Sequence, residues 1–360
     1  MNHGSTIFFQ ARKSSSRFAP APADRKSSRP VAKDGPRLLA CIDDYGGISS
    51  LGPHALAVAC SLGLKVTFAR VIEMRQHFSS PADPIAWHVR HANERETLQR
   101  LVSGQDIVVT GRELLAGDAA EDGGDPVDTV LLAGDPGEEL SDWARDHDTT
   151  VVAVHRRDSG TGPGLGSTVQ ALMEDSFSSL LLVPPKSLGD ASYRRVLVPI
   201  DGSARAESVM PLARRIARTH GATLILAHIL PQADPALEGR HERARRLRSD
   251  VGASDEESAR ANLETLRRRS VEDGVPVSTM ILGPADPKSE LCRLLRDQRI
   301  DLVVMSSHGC TGLDDVPCGS VTNHVATHSD VPVLVVRPNI ECRFGPEPKS
   351  CIVPSAFRFG

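Results

Sequence analysis

Short apolar runs alternate with amphipathic stretches over most of the chain, between residues 37 and 338. The run Val196–Ile200 is apolar throughout, which is typical of a parallel strand that is covered on both faces. The stretch after it begins at Ser203, a suitable N-cap, and carries apolar residues at the helical spacing i, i+3, i+4 and i+7. These residues are Val209, Leu212, Ala213 and Ile216. The pattern therefore predicts a strand and then a helix that ends at Gly221.

The same alternation continues to the end of this region. The further predicted strands are Thr223–Ile229, Val277–Leu282, Leu302–Met305 and Val333–Val336. The helices between them are a charged segment that reaches about Ser270, a segment with Leu291, Leu294 and Leu295, and Ser320–Thr327. Alternation of this kind predicts an α/β fold with a parallel, doubly wound sheet and right-handed crossovers.

The chain contains an internal duplication. The segment GSTVQALMEDSFSSLLLVPP, residues 166–185, and the segment GSVTNHVATHSDVPVLVVRP, residues 319–338, share their length and their order of features. Upstream, residues 38–43 match residues 196–201. We therefore expect two tandem copies of one five-stranded unit. The predicted organisation is a disordered tail over 1–36, a first domain over 37–186, a linker over 187–194, a second domain over 195–338 and a C-terminal tail over 339–360.

Composition narrows the class of protein. The chain has 360 residues, enough for two domains of about 150 residues each. Its 42 Lys and Arg and 46 Asp and Glu give a net charge of −4, which argues against nucleic acid or an anionic membrane as partner. Seven Cys without a C-x-x-C pair predict reduced thiols. With no apolar run that could span a bilayer and no signal-peptide stretch, we expect a cytoplasmic protein.

Candidate ligand-binding residues follow the first and fourth strands of the second repeat, where the order of a doubly wound sheet reverses. The first group is Pro199, Ile200, Asp201, Gly202 and Ser203. The second group is Met305, Ser306, Ser307, His308 and Gly309, and the next helix opens with Gly319, Ser320, Val321 and Thr322. Glycines let a ligand approach the backbone, the N–H groups of a helix start favour an anion, and Ser320 and Thr322 add hydroxyl donors. Neither a P-loop nor a G-x-G-x-x-G fingerprint is present.

This second group resembles the G-x-x-G, nine residues, then G-S motif of nucleotide-binding universal stress proteins, with Ser306 at the first glycine. The resemblance covers both repeats and includes the closing VPVLVVRP. It implies a Rossmann-like, HUP-type sheet in the order 3-2-1-4-5 and a bound ATP or another adenine nucleotide. It further implies that Asp201 and Ile229 face adenine and ribose, and that Met305 and Ser306 lie on the ribose side. The residues implied at the phosphates are Gly309, Gly319, Ser320, Val321 and Thr322.

The resemblance also bears on assembly. Relatives pair through the last strand, which is apolar on both faces in each repeat, over Leu180–Val183 and Val333–Val336. An exposed apolar edge strand invites pairing, so we expect the two repeats to form an intramolecular pseudo-dimer. A homodimer and an unknown protein partner stay open as further associations.

The charge around the phosphate loop predicts a role for Mg²⁺. Asp314 and Asp315 lie in the loop between Cys310 and Cys318, and no Lys or Arg occurs between Arg299 and Arg337. A phosphate and a carboxylate about 8 Å apart repel by about 2 kcal/mol at an effective dielectric near 20. The helix dipole returns about 0.3 to 2 kcal/mol. We therefore expect a triphosphate to bind with Mg²⁺, or the site to prefer a less charged nucleotide.

The first repeat is further from the motif, which predicts a functionally asymmetric pair. Counted back from Gly166, Ala153 and Arg156 take the places of the first two glycines. Asp43 is the counterpart of Asp201, and Arg156 and Arg157 could attract an anion.

The function that these observations favour is that of a non-enzymatic, nucleotide-responsive regulator of the stress response. One alternative is an enzyme that cleaves ATP or transfers an adenylyl group, and another is a scaffold that binds no nucleotide. His324 and His328 stand at the i, i+4 spacing of a metal site but lack the Glu of H-E-x-x-H, so a structural role is favoured over a metal site.

Overall fold

The computed structural model describes most of the two predicted domains and a short part of the C-terminal segment. The described residues are 35–43, 48–73, 84–104, 127–157, 164–175, 178–185, 187, 191–231, 242–309, 318–337 and 344–345. The predicted tail over 1–36 lies outside them except for residues 35 and 36. Asp314, Asp315 and Cys310 also lie outside them.

The two repeats contain the same alternation of strands and helices. The elements of the first repeat are β1 Arg37–Cys41, α1 Ile48–Leu62, β2 Lys65–Ile72, α2 Pro84–Gly104, β3 Val127–Ala133, α3 Pro136–Asp146, β4 Thr149–His155, α4 Ser167–Asp175 and β5 Ser179–Val183. Those of the second repeat are β6 Arg195–Pro199, α5 Ala204–Glu207, α6 Met210–His220, β7 Thr223–Pro231, α7 Glu242–Glu272, β8 Val277–Ala285, α8 Pro287–Asp297, β9 Leu302–Ser306, α9 Ser320–His328 and β10 Val333–Val336. Every strand predicted for the second repeat is present.

All described strands belong to one ten-stranded sheet in the order β3-β2-β1-β4-β5-β10-β9-β6-β7-β8. Within each half the order is 3-2-1-4-5 and the pairing is parallel, as predicted. The halves join where β5 and β10 pair antiparallel, with Leu181 opposite Leu334. The predicted pseudo-dimer through the last strands is therefore confirmed, and the two sheets merge into one.

The core is aliphatic because both faces of the central strands are covered. Leu38 and Leu39 on β1, like Val196 and Leu197 on β6, are fully buried although neighbouring side chains on a strand point to opposite faces. One buried cluster runs along each face of the sheet through both halves. The parallel strands consequently read as continuous apolar runs rather than as alternating ones.

The predicted helix after β6 is split in two. The Ser203 hydroxyl accepts from the Ala206 N–H at 3.1 Å and caps α5, which ends after Glu207. A second helix, α6, starts at Met210 and ends at Gly221, which adopts φ 63° as its left-handed C-cap. The predicted start and end signals are therefore confirmed, whereas the break between α5 and α6 was not predicted.

A buried polar cluster lies between α1 of the first domain and α6 of the second. His54 Nδ1 lies 3.0 Å from the Tyr193 hydroxyl, and His54 Nε2 lies 2.9 Å from the Ser187 hydroxyl. The Tyr193 ring lies 4.7 Å from the ring of His220, measured between centroids. Burial lowers the pKa of His54 to about 4, with smaller contributions from His155 and His220. Burial likewise lowers the pKa of His220 to about 4.

Part of the predicted C-terminal tail packs on the first domain. The Gly345 N–H donates to the Leu62 carbonyl at 3.1 Å, at the end of α1. Phe344 packs against the core, and the Arg215 guanidinium lies 5.6 Å from the centre of its ring. The boundary predicted at residue 339 therefore excludes two residues that belong to the folded body.

Two further expectations concern cysteines and membranes. Cys41, Cys292 and Cys318 are free, but Cys60 forms a disulfide whose second cysteine is outside the described residues. The prediction that all cysteines are reduced is therefore wrong for Cys60. Among the described helices, none combines the length and the apolar character that a membrane span requires.

We predict that the buried histidines make the fold sensitive to acid. The folded-state pKa values of His54 and His220 are about 4, below the unfolded value of about 6.5, so the unfolded chain binds more protons in this window. Stability should fall by about 2 kcal/mol for each histidine between pH 7.5 and pH 5. Urea unfolding at both pH values measures this, and His54→Gln should show a smaller loss. The exposed His88→Gln is the control, and an unchanged pH dependence in His54→Gln would contradict the assignment.

We predict that Gly345→Ala destabilises the fold. A Cβ at Gly345 would lie 2.0 Å from the Gly63 carbonyl oxygen, a backbone atom that cannot rotate away. The expected loss in free energy of unfolding is about 1 to 3 kcal/mol, the usual cost of overpacking. Gly283→Ala is the control because a Cβ there would meet nothing within 4 Å. Equal urea midpoints for the two variants would show that the contact does not contribute.

Candidate functional site

The predicted site lies where β6 and β9 run side by side. The two strands pair in parallel, with Val196 opposite Leu302 and Leu197 opposite Val303, so their carboxyl ends meet at the same edge. From β6 the chain continues to β7 on one side, while β9 lies on the other. This is the point at which doubly wound sheets bind ligands. The loop after β6 and the turn after β9 face each other there.

The loop after β6 holds Asp201 in a fixed position. Asp201 Oδ1 accepts from the Ser203 N–H at 2.9 Å and from the Ser203 hydroxyl at 2.6 Å. Gly202 between them adopts φ 81°, a left-handed conformation that glycine tolerates best. Asp201 and Ser203 therefore orient each other, and the side chain of Asp201 stays exposed at the site.

Asp201 and Gly309 are brought into direct contact. A Cβ placed on Gly309 would lie 2.3 Å from Asp201 Oδ2, so a side chain at position 309 would displace the carboxylate. The predicted neighbourhood of the two loops is therefore present, and Asp201 points toward the turn after β9. Because Gly309 has no side chain, the turn after β9 can lie directly against the Asp201 carboxylate of the loop after β6.

Two serine hydroxyls make polar contacts within the turn after β9. The Ser306 hydroxyl donates to the His308 carbonyl at 2.5 Å. The buried Ser307 hydroxyl lies 3.1 Å from His308 Nδ1. Ser306 occupies the place of the first glycine in the motif, and its side chain folds back onto the turn instead of entering the site. The substitution of serine for glycine is thus accommodated within the turn.

The N-terminus of α9 opens beside this turn. The Gly319 N–H donates to the Ser307 carbonyl at 2.7 Å, and within the part of the chain that the structure describes no side chain caps the helix. The first intrahelical bond runs from the Asn323 N–H to the Gly319 carbonyl, at 2.9 Å. The N–H groups of Ser320, Val321 and Thr322 therefore precede the hydrogen-bonded part of the helix. Such a set of amides, together with the positive end of the helix dipole, suits an anion.

The side chains of the first helical turn differ in what they can offer. Ser320 is exposed, so its hydroxyl is accessible. The Thr322 hydroxyl is buried and donates to the Ser306 carbonyl at 2.9 Å. The expectation that Thr322 adds a hydroxyl donor to an anion is therefore corrected, because that proton is used to attach α9 to β9. Val321 packs its side chain against the core and can contribute its backbone N–H.

The residues predicted to face adenine and ribose direct much of their surface into the core. Ile229 and Met305 both belong to the apolar cluster on one face of the sheet. His228 was not predicted, yet it lies beside Ile229 and its Nδ1 is 2.8 Å from the Ile200 carbonyl. Successive side chains on β7 point to opposite faces, so His228 lies on the face opposite to Ile229. Its contact with the loop after β6 depends on how β6 and β7 pair, which residue type and spacing do not specify.

The corresponding place in the first repeat is occupied by an ion pair. Arg157 Nε lies 3.2 Å from the carboxylate of Asp43, the residue that matches Asp201. The partly exposed geometry of this pair gives it little weight in stability. It nevertheless places a cation of the same domain on the carboxylate that a ligand would meet. Arg157 is largely exposed beside this contact, so the expectation that it attracts an external anion stays a prediction.

Strand register also corrects the predicted alignment of the first repeat. His155 lies opposite Val183, as Ser306 lies opposite Val336. Arg156 therefore matches Ser307, and Ala153 does not match a motif glycine. The prediction was wrong because it assumed that the loops after β4 and β9 have equal lengths. Gly319 follows the end of β9 by 13 positions, whereas Gly166 follows the end of β4 by 11.

Arg156 turns away from its own domain. Its Nη1 donates to the carbonyls of Ala326 at 3.2 Å and Ser329 at 2.7 Å, at the C-terminal end of α9. The side chain is buried, so it is not an anion-attracting group at the surface. The expectation of an anion site at Arg156 is therefore corrected, and the residue belongs to the contact between the domains.

The other candidate groups do not form a metal or thiolate site. The rings of His324 and His328 stack at 4.1 Å on α9, and His328 Nδ1 lies 2.9 Å from the His324 carbonyl. Among the described residues, no group of three or more His, Cys, Asp or Glu side chains could hold a metal ion. Burial raises the pKa of Cys318 to about 11, which keeps this thiol protonated near neutral pH.

Comparisons with known proteins agree with this architecture. The model of the universal stress protein family matches residues 38–184 and 192–337. The universal stress protein MJ0577 of Methanocaldococcus jannaschii is 24% identical over 155 residues, which are 40% of this chain and 95% of that protein.

One solved structure with a similar fold extends over both halves of this chain. The crystal structure of a universal stress protein from Archaeoglobus fulgidus covers 85% of this chain and 99% of its own, at a TM-score of 0.57 and 16% identity. A universal stress protein solved in complex with cAMP covers 40% of this chain and 97% of its own, at a TM-score of 0.29 and 23% identity. The model of the universal stress protein family matches both halves of the sheet in tandem, and this chain therefore belongs to that family.

Proposed function

We propose that this chain binds one adenine nucleotide in its second domain and acts as a nucleotide-responsive regulator of the stress response, without turnover. The observation that carries the proposal is the N-terminus of α9, which has no side-chain cap among the described residues and lies beside Gly309 and Asp201. A helix start without a side-chain cap leaves its N–H groups for an external acceptor. ATP is the nucleotide expected first, and another adenine nucleotide is the alternative.

The phosphates would lie at the start of α9. The amides of Ser320, Val321 and Thr322 supply hydrogen bonds, and the accessible Ser320 hydroxyl supplies one more. A Cβ on Gly319 would lie 3.4 Å from the Ser307 carbonyl oxygen, in ordinary contact with the turn after β9. Backbone donors with this geometry fit an anion without needing a P-loop.

The nucleoside would extend from there toward the ends of β6 and β7. Asp201 carries a carboxylate, an acceptor suited to a sugar hydroxyl. Its Oδ1 is already held by Ser203, so the group is oriented before a ligand arrives. Pro199 and Ile200 directly precede Asp201 in the chain. His228 and Ile229 lie near the carboxyl end of β7, the strand that pairs with β6.

One site per chain is expected because the side chains at the strand ends of the first domain differ from those of the second. There, Arg157 pairs with Asp43, and Arg156 is committed to α9 of the other domain. A ligand that binds at Asp43 would have to break the ion pair with Arg157. The Arg156 guanidinium donates to α9 and is therefore not directed at such a ligand. The pair of domains is therefore asymmetric in function although both share one fold.

Binding is favoured over catalysis by the charges of the site. Stabilising a transferring phosphoryl group calls for cations around it, as Lys, Arg or metal ions. The sequence has no Lys or Arg between Arg299 and Arg337, the segment that holds the turn after β9 and α9. Amides and hydroxyls bind the ground-state anion and do not by themselves favour its transfer. Sustained ATP hydrolysis well above the uncatalysed rate would contradict this part of the proposal.

We predict that Ser320→Ala weakens ATP binding about tenfold, because it removes one hydrogen bond to a charged phosphate. Ser167→Ala is the matched control, since Ser167 opens the equivalent helix α4 of the first domain. Isothermal titration calorimetry should give one ATP per chain for the wild type and for Ser167→Ala, with equal affinity.

Three results of this titration would count against the proposal. Two nucleotides per chain would contradict the asymmetry of the domains. Equal loss in both serine variants would contradict the assignment of the site to α9. A wild-type chain that binds no adenine nucleotide would leave the scaffold function as the better account.

We predict that Mg²⁺ strengthens ATP binding about tenfold. The predicted site holds the Asp201 carboxylate, and the sequence places Asp314 and Asp315 in the adjoining loop, outside the described residues. Repulsion between one such carboxylate and a phosphate at about 8 Å is about 2 kcal/mol, which a divalent cation offsets. Titrations with Mg²⁺ and with a chelator measure the difference, and AMP should show less of it. Equal ATP affinity in both conditions would contradict the prediction.

A further inference from the structure

We propose that Arg156, a residue of the first domain, is a positioning residue for the nucleotide site of the second domain. Arg156 holds the C-terminal end of α9, and the N-terminal end of the same helix supplies the amides of the site. The inference rests on the proposed function, because it explains how that site is held in shape. It assigns the altered motif of the first domain a role in the second.

The contact is buried and specific. Arg156 is 6% exposed and donates through one nitrogen to two carbonyls of α9, those of Ala326 and Ser329. Arginine is almost never fully buried unless its charge is compensated. The carbonyls at a helix C-terminus lack intrahelical donors and carry the negative end of the dipole, so a guanidinium suits them both as donor and as cation.

The helix is short enough to transmit this restraint. With nine residues, α9 is about 14 Å long and moves as one body. At its N-terminal end it is attached to the turn after β9 through Thr322 and Gly319. Arg156 therefore provides a restraint at the opposite end. Without it, α9 can shift or tilt, and the amides of its first turn lose their direction toward the phosphate.

The position of Arg156 explains why its side chain contacts the second domain instead of the turn after β4 in its own domain. By strand register it matches Ser307, whose hydroxyl contacts His308 within the turn of the second domain. In the first domain the same position lies near the β5–β10 junction, from which the side chain reaches α9. The two repeats thus use equivalent positions for different tasks, one inside a turn and one across the domain contact.

The test compares ATP affinity in three variants of the full chain by isothermal titration calorimetry with Mg²⁺, with concentrations corrected for the folded fraction. Arg156→Met should bind ATP at least about fivefold more weakly, a size typical of coupling between sites. Arg156→Lys, which keeps the charge but not the planar fork, should lie between Met and wild type. Tyr193→Phe is the control, because it removes a buried hydroxyl of the domain contact away from α9 and should leave ATP affinity unchanged.

Each outcome decides between the alternatives. Weaker binding in Arg156→Met, with an affinity of Arg156→Lys between those of Arg156→Met and the wild type, supports the positioning role. Wild-type affinity in Arg156→Met overturns it and leaves the proposed function standing. An equal loss in Tyr193→Phe overturns it as well, because the effect would then be one of general stability. No ATP binding by the wild type overturns both proposals. If Arg156→Met does not fold, Arg156→Lys decides, and its unchanged affinity overturns the role.

Discussion

The antiparallel pairing of β5 with β10 is the interaction on which the rest of the structure depends. Each strand would otherwise be the apolar edge of a five-stranded sheet, and their pairing leaves neither edge exposed. It also brings the groups after each strand within reach of the other domain. Arg337, which follows β10, donates its N–H to the Ser179 hydroxyl at 3.0 Å and its guanidinium to the Met173 carbonyl at the end of α4. Arg156 reaches α9 in the opposite direction.

The two crossed contacts end at equivalent positions, because Met173 of α4 corresponds to Ala326 of α9, so the difference between the domains lies elsewhere. Both domains share the strand order and the helix that follows the fourth strand, so the fold alone does not decide which of them binds a ligand. The decision comes from a few side chains at the strand ends. In the second domain Asp201 faces a glycine, whereas in the first its counterpart Asp43 faces Arg157. The equivalent carboxylates therefore have different neighbours, a glycine in the second domain and an arginine in the first.

Much of this could be predicted from the sequence, because the signals were local or repeated. Apolar runs gave the strands, Ser203 and Gly221 marked helix ends, and the matching last strands indicated the pairing. The missed features involve long separations or buried orientations. Arg156 and Ser329 are 173 positions apart, and no periodicity connects them. The direction of the Thr322 hydroxyl depends on where α9 sits on β9, which residue type and spacing do not specify.

A site made of helix amides depends more strongly on helix placement than a site built from flexible cations. A lysine can follow a phosphate by changing its rotamers, whereas three amides move only with the whole helix. In this chain the placement of α9 is set by contacts within the second domain at one end and by the first domain at the other. Thermodynamic linkage makes this relation reciprocal. Whatever free energy Arg156 adds to nucleotide binding, a bound nucleotide must add to the contact between the domains. Under the proposed function, the contact of Arg156 with α9 would therefore be the part of the molecule through which nucleotide occupancy affects the contact between the domains.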